Sequence, residues 1–548
     1  MNNRILRSLL TSLLVLPALA QAPAPEVQAR MEQVLQHYTS HHEFMGSALV
    51  AREGKVLLSK GYGSANLEWK IPNSPATKFR LGSITKQFTA ASILLLQERG
   101  KLSLQDPVKK YLPDAPAAWD KVTIFHLLTH TSGIPNFTSF PEYPSLNALA
   151  TTPEKLVARF RDKSLEFQPG EKWAYSNSGY VLLGYLLEKI SGQGYAAFLQ
   201  QNLFDPLGMK DSGYDSSTMI LPARASGYAP GPEGPQNAAY AHMSIPFSAG
   251  ALYSTTEDLL RWEQALFGGK LLKPESLKQM TTPCKSDYGL GLAVHAVKGH
   301  KVVEHGGGIE GFNTQLSYYP DEHLAVIVLG NLNGGAPGAI AEKLAAAALG
   351  EQVVLPIERK EVVVDSKILE GYVGNYQLAP GVIGTVTREG GRLFGQLTDQ
   401  PRFELFAESD RDFFLKAVDA QVTFEVDAQG RASRLVLHQN GDHVAVRIEG
   451  EMPLPKARKE VAVAAKVLDG YVGQYELAPG FIMTFIREGE RFFTQATGQP
   501  KCELFAEGDR DFFLKVVNAQ ITFEVDATGR ATGLVLHQGG DHPAKRID

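Results

Sequence analysis

Cysteine is almost missing: the 548 residues contain two, Cys284 and Cys502. A disulfide-stapled scaffold is thereby excluded. One bridge at most is possible, and because Cys502 falls where its repeat has the apolar strand residue Phe403, both thiols are expected to be buried small hydrophobes. A dominant charge sign is missing too. Lys and Arg number 54 against 59 Asp and Glu, net -5, with no long basic run. A dedicated nucleic-acid binder needs clustered cations to neutralise phosphates, so that class falls away. Gly 52 and Pro 31 are too few for a collagen-like or low-complexity chain, and 44% hydrophobic residues is ordinary globular usage. Past the N-terminus no apolar run reaches the ~20 residues of a spanning helix. Leu344 to Leu349 merely closes an Ala-rich amphipathic segment.

At the N-terminus, Arg4 and Arg7 precede the apolar stretch Leu9 to Leu16, and Ala18-Leu19-Ala20 is a small-residue cleavage pattern. This reads as a signal peptide over residues 1–20, giving a periplasmic or secreted mature chain from Gln21 with no integral membrane span. No Cys follows Ala20, which argues against lipid attachment there.

The length suits about three or four folding units. An internal repeat locates two of them. Gly371-Tyr372-Val373-Gly374-Asn375-Tyr376 returns as Gly470-Tyr471-Val472-Gly473-Gln474-Tyr475, and Leu435-Val436-Leu437-His438 as Leu534-Val535-Leu536-His537, always 99 residues on. Short Val/Ile/Phe/Tyr runs alternate with polar residues and are punctuated by turns such as Glu389-Gly390-Gly391, an antiparallel β pattern. Several strands in about 85 residues predict a small closed barrel per copy, because closure removes exposed edges. Met452-Pro453-Leu454-Pro455-Lys456 reads as a stiff linker. The expected domains are 21–350, then barrels at 351–449 and 450–548.

The first of these mixes periods. Helical spacing is expected from Ser83 to Glu98, Pro153 to Asp162, Ser178 to Ile190, Glu257 to Leu266 and Pro274 to Met280. A hairpin at Ser47 to Arg52 and Lys55 to Lys60 and strands at Gly289 to Val297, Lys301 to His305, Thr314 to Tyr319 and Leu324 to Leu329 come from both ends of the segment. The fold class is therefore an α/β domain, an antiparallel sheet with helices, followed by two small all-β barrels.

Three motifs carry chemistry. Ser83-Ile84-Thr85-Lys86 puts a hydroxyl and an amine on one helix face, and a buried lysine with lowered pKa can deprotonate a serine one turn away. By itself the pattern equally suits an N-cap and a solvated lysine. Tyr175-Ser176-Asn177 precedes a helix: a tyrosinate near a lysine can act as a base and an Asn can donate to a carbonyl, though a packed Tyr and a capping Asn fit as well. His305-Gly306-Gly307-Gly308 follows an apolar strand, where glycines admit a substrate backbone and an exposed N–H can hold an oxyanion; alone it could be a glycine-rich turn.

Taken together and in this order, the three motifs, joined by His126-Leu127-Leu128-Thr129-His130-Thr131-Ser132-Gly133-Ile134-Pro135, resemble the serine β-lactamase and penicillin-binding hydrolase superfamily, in the branch of class C β-lactamases, D-aminopeptidases and esterases. The resemblance spans roughly residues 30 to 345 and implies a β-lactamase-like fold for the first domain. It implies Ser83 as acylated nucleophile, Lys86 and Tyr175 as the proton-transfer pair, and Asn177, His305, Gly307 and Gly308 as substrate-binding residues, the N–H groups of Ser83 and Gly308 forming the oxyanion hole. Many members carry Lys-Thr-Gly where this chain has His305-Gly306-Gly307, which removes a cation and a hydroxyl for a substrate carboxylate. His-x-Gly is similar to D-aminopeptidases of the branch. The expectation is an exported serine hydrolase acting on D-amino-acid-containing peptides or amides, with an esterase or weak β-lactamase, or a non-catalytic cell-wall-binding or penicillin-sensing protein, as alternatives. Its partners are a small peptide, amide or ester, with no nucleic acid and no cofactor. His438/His443 and His537/His542 lack a nearby third ligand, so no metal is expected.

Overall fold

The computed structural model describes residues 25–547 except 232–233, 356–358, 380–381, 399, 401, 417–419, 440–441, 449–460, 462, 479–480, 490, 497–500, 515–518 and 538–540. The N-terminal cleavage pattern and the Met452 to Lys456 segment lie outside the described residues. The chain divides into two compact units that part between residues 355 and 356.

In the first unit, α1 (Pro25–Ser40), β1 (Gly46–Arg52) and β2 (Lys55–Tyr62) lead to α2 (Thr85–Glu98), α3 (Asn177–Ser191) and α4 (Thr256–Phe267), before β3 (Ala293–Val297), β4 (His300–Ile309), β5 (Phe312–Tyr319), β6 (Leu324–Gly330) and α5 (Ala336–Leu349). The six strands form one antiparallel sheet in the order β3-β4-β5-β6-β1-β2. Strand β6 is buried along its whole length, and its period of two shows why. Val326 and Val328 pack with Met31, Leu35, Ile340 and Leu344 of the two terminal helices. Ile327 and Leu329 face the opposite way, into the larger core with Phe88 and Trp262. A strand enclosed on both faces reads as a continuous apolar run, as Leu324 to Leu329 does.

The helices follow the expected spans to within a residue or two, and Pro274–Met280 matches throughout. Three expectations are corrected. The strand expected from Gly289 begins only at Ala293. The strand expected to end at His305 runs on through Gly306, Gly307 and Gly308 to Ile309, because β5 pairs with it residue by residue. Glycines that locally suggest a turn are held extended by the hairpin ladder to β5, and the turn itself falls at Glu310 and Gly311. Cys284 is exposed and Cys502 half-buried, so neither thiol is the fully buried hydrophobe expected.

In the second unit each repeat is a closed, all-antiparallel barrel of eight strands, the first from Gly374–Ala379 to Asp442–Ile448 and the second from Gly473–Ala478 to Asp541–Arg546. The repeated tyrosines explain themselves. Tyr372 stacks on Phe424 with ring centroids 4.3 Å apart, and Tyr471 on Phe523 at 4.4 Å. The Tyr376 hydroxyl donates to the Tyr372 carbonyl at 2.7 Å and the Tyr475 hydroxyl to that of Tyr471 at 2.9 Å. Buried hydroxyls at these positions need an acceptor, and the repeat supplies the same one twice.

Candidate active site

Ser83 sits in a single 3-10 turn, Gly82–Ile84, that leads directly into α2. The entry turn is fixed by close approach. Gly82 has φ +56°, a left-handed conformation, and a Cβ there would stand 2.8 Å from the Gly308 nitrogen. A Cβ on Gly307 would stand 1.9 Å from the Leu81 carbonyl oxygen. Glycine in β4 thus lets the strand edge lie against the turn that carries Ser83, while Thr314 Oγ1 donates to the Leu81 carbonyl at 2.8 Å. The backbone of Gly308 is therefore held beside that of the turn carrying Ser83, an arrangement from which an oxyanion hole can be built.

Lys86, the second residue of α2 and one turn on from Ser83, is fully buried. Its Nζ lies 3.0 Å from Ser83 Oγ and donates at 2.9 Å to both Asn177 Oδ1 and the Ala249 carbonyl. Both of these oxygens accept only. A neutral amine has two N–H donors and one lone pair, so satisfying the two oxygens leaves the lone pair for the Ser83 hydroxyl. Burial drives the Lys86 pKa well below its usual value, which favours that neutral form. The Ala249 carbonyl belongs to a helical turn, Phe247–Gly250. Thr89 Oγ1 donates to the Ser248 carbonyl at 2.7 Å and Ser248 Oγ to the Tyr180 carbonyl at 2.8 Å, pinning that turn to α2 and α3.

The Tyr175 ring centroid is 4.8 Å from Lys86 Nζ, and its hydroxyl is close enough to Ser83 to feel that side chain. Although part of its surface is exposed, burial around the hydroxyl raises its pKa and outweighs the influence of Ser83, so the phenol keeps its proton. Against its ring packs a second buried aromatic group, an imidazole. His130, fully buried with φ +57°, accepts from the Ser176 N–H at 3.1 Å through Nδ1, and its ring lies 4.4 Å from that of Tyr175 and 4.7 Å from that of Tyr288. Burial, reinforced by Lys86 and His305, lowers its pKa well below normal.

His305 also turns inward. Its Nε2 is 2.9 Å from the Tyr288 hydroxyl and its Nδ1 is 2.5 Å from the Gly306 carbonyl. Burial, then the nearby Lys86, lowers its pKa to about 4, so it is neutral at physiological pH. The open space in front of Ser83 is a cavity of about 430 Å³, within the usual range for small ligands. Asn177 and Gly308 line it together with Ser83, Phe137, Tyr143 and Glu310, whereas His305 and Gly307 do not. The segments singled out in the sequence thus meet at one place, but Ala249, Tyr288 and Glu310 carry no motif of their own, and His130 lies in the His126 to Pro135 segment with no role attached to it.

Residues 27–351 match the family profile described as Beta-lactamase, and residues 358–450 and 457–545 each match a domain of unknown function, DUF3471. Over 435 residues the chain is 31% identical to Penicillin-binding protein 4* of Bacillus subtilis (strain 168), covering 74% of this chain and 95% of that protein. It is 29% identical over 312 residues to a D-aminopeptidase of Gluconobacter oxydans (strain 621H), covering 55% of this chain and 58% of that one. Among solved structures, a D-stereospecific amidohydrolase from Streptomyces sp. superposes with a TM-score of 0.51 at 26% identity, over 59% of this chain and 99% of that chain.

Proposed function

The chain belongs to the β-lactamase family of serine hydrolases, and we propose that it cleaves amide bonds of D-amino-acid-containing peptides or amides through an acyl-enzyme on Ser83. The observation that carries this reading is the placement of Lys86: its Nζ is held by two carbonyl acceptors at 2.9 Å and stands 3.0 Å from Ser83 Oγ, in a site whose burial favours the neutral amine a base requires. The amide class draws support from the D-aminopeptidase and amidohydrolase likenesses. It is also favoured by a cavity wall without Lys or Arg among its described residues, which gives a substrate carboxylate no anchor.

In this reaction Ser83 Oγ attacks the scissile carbonyl carbon as its proton passes to Lys86 Nζ, and the resulting oxyanion is held by the N–H groups of Ser83 and Gly308. Collapse breaks the C–N bond, with the Tyr175 hydroxyl giving its proton to the leaving nitrogen. The adjacent Lys86 ammonium steadies the phenolate this leaves. A water then attacks the acyl carbon and gives its proton to Tyr175. Release of the acid returns the Lys86 proton to Ser83 Oγ, and every group regains its starting state. Asn177, which accepts from Lys86 through Oδ1 and lines the cavity, contacts the substrate beside Ser83.

The remaining proposals concern the whole chain. The N-terminal pattern is assigned to export and cleavage near Gln21, and the mature domains to 21–350, 351–449 and 450–548. A panel of D- and L-aminoacyl amides, short acyl esters and a chromogenic β-lactam tests the substrate class. D-Aminoacyl amides should show the highest kcat/KM, and preference for the ester or the β-lactam would overturn the reading.

A further inference from the structure

One feature of the cavity is not used by the reaction. Among the described residues lining it, Glu310 alone bears a charge. Its placement is built rather than incidental. Glu310 and Gly311 form the tight turn between β4 and β5, and Asn333 holds that turn from inside: its Nδ2 donates to the Ile309 carbonyl at 3.0 Å, and its Oδ1 accepts the Gly311 N–H at 2.7 Å. Asn147 Nδ2 then donates to Glu310 Oε1 and orients the carboxylate. The Asn147 side chain is buried, and its Oδ1 has no hydrogen-bond partner among the described residues. Tyr143, also in the wall, is pushed up to about 12 by burial and then by Glu310, so its hydroxyl stays protonated.

Position along the chain gives this carboxylate its meaning. Glu310 follows Gly308 by two residues, and Gly308 supplies the N–H assigned to the oxyanion. In an amide whose acyl part is an amino acid, the α-nitrogen is two bonds from the scissile carbonyl carbon. An anchor for it must therefore stand within short reach of the oxyanion hole, and Glu310 lines the same cavity as Ser83 and Gly308. We propose that Glu310, oriented by Asn147, binds the free α-ammonium of the substrate's N-terminal residue, so that aminoacyl amides and peptides with an unblocked N-terminus are the preferred substrates. The inference rests on Ser83 as the acylated nucleophile and deepens that reading.

The test compares an aminoacyl p-nitroanilide with its des-amino analogue, in both stereochemical forms, in the full-length protein. The ammonium should raise kcat/KM by about 10- to 100-fold, the range of a charge-assisted hydrogen bond. In Glu310→Gln the ratio between the two substrates should collapse to within about threefold. In Glu310→Lys an analogue with a carboxylate in place of the ammonium should become the better substrate. Two results overturn the inference: a wild-type ratio near one, or a ratio that survives in Glu310→Gln because both substrates fall together. Should the variants fail to fold, competition by an alkylammonium against the isosteric alcohol decides it in the wild type, and equal inhibition refutes it. Turnover of the des-amino analogue without preference for the amine defeats only this inference. Turnover of neither substrate defeats the Ser83 reading along with it.

Discussion

Replacing Lys86 by Met keeps the length of the buried stem and removes the amine. The kinetic effect should be a loss of about 100-fold or more in kcat, the range for a general base. The thermodynamic effect is more discriminating. Burial lowers the Lys86 pKa in the fold, whereas the unfolded chain titrates near ~10.4. Between those two values the unfolded state binds one more proton, so wild-type stability rises with pH by about 1.4 kcal/mol per unit. The gain is complete above the unfolded pKa and is lost as pH falls toward the folded one. Met carries no such proton, so the stability difference, wild type minus variant, should climb with that slope as pH rises toward the unfolded value. Loss of the amine also leaves Asn177 Oδ1 and the Ala249 carbonyl without their donor. That costs about 1 to 3 kcal/mol per group, but independently of pH, so it moves the offset and not the slope. Trp69, Trp119, Trp173 and Trp262 all precede residue 355, so urea unfolding followed by tryptophan fluorescence reports on the first unit alone. A difference that stays flat across this range would mean that Lys86 keeps its proton in the fold, and it would lose the role of resting base.

Tyr175→Phe should lower kcat by at least ~100-fold, and its effect combined with Lys86→Met should be less than the product, because the two act as a unit; stopped-flow turnover on one amide measures both. Gly307→Ala should cost about 1 to 3 kcal/mol and most of the activity, since its Cβ would fall on the Leu81 carbonyl; thermal denaturation with a kcat measurement checks this. His305 is neutral above about pH 4, so the acid limb of kcat/KM above that pH should keep its midpoint in His305→Gln; a moved midpoint would place His305 in proton transfer. Benzylpenicillin should acylate slowly, because its carboxylate meets a wall bearing Glu310 and no described Lys or Arg; rapid turnover of a chromogenic β-lactam would contradict that.

What the sequence conveys about this protein follows the range of the forces involved. The helix over Thr85–Glu98 and the hairpin from Gly46 to Tyr62 are set by local periodicity and a turn, and the barrels by a 99-residue repeat of tyrosines that meet the same partners twice. Ser83, Lys86 and Tyr175, the groups we propose to react, stand out in the sequence because acid-base chemistry restricts residue type and spacing. The third contact of Lys86 is a backbone carbonyl at Ala249, 163 residues away, and a carbonyl leaves no trace in residue identity. Glu310 reads as an ordinary turn residue until Asn147 and Asn333 are seen to hold it. The extended run through Gly306 to Gly308 depends on pairing with β5, which overrides what glycines suggest locally.

The measurement that bears most directly on the account is the mass of the acylated protein. Rapid quenching during turnover of a slow ester or amide, followed by peptide mapping, should place the substrate's acyl group on the peptide that contains Ser83, and Ser83→Ala should show neither adduct nor turnover. An adduct on any other residue, or turnover near the wild-type rate in Ser83→Ala, would contradict it.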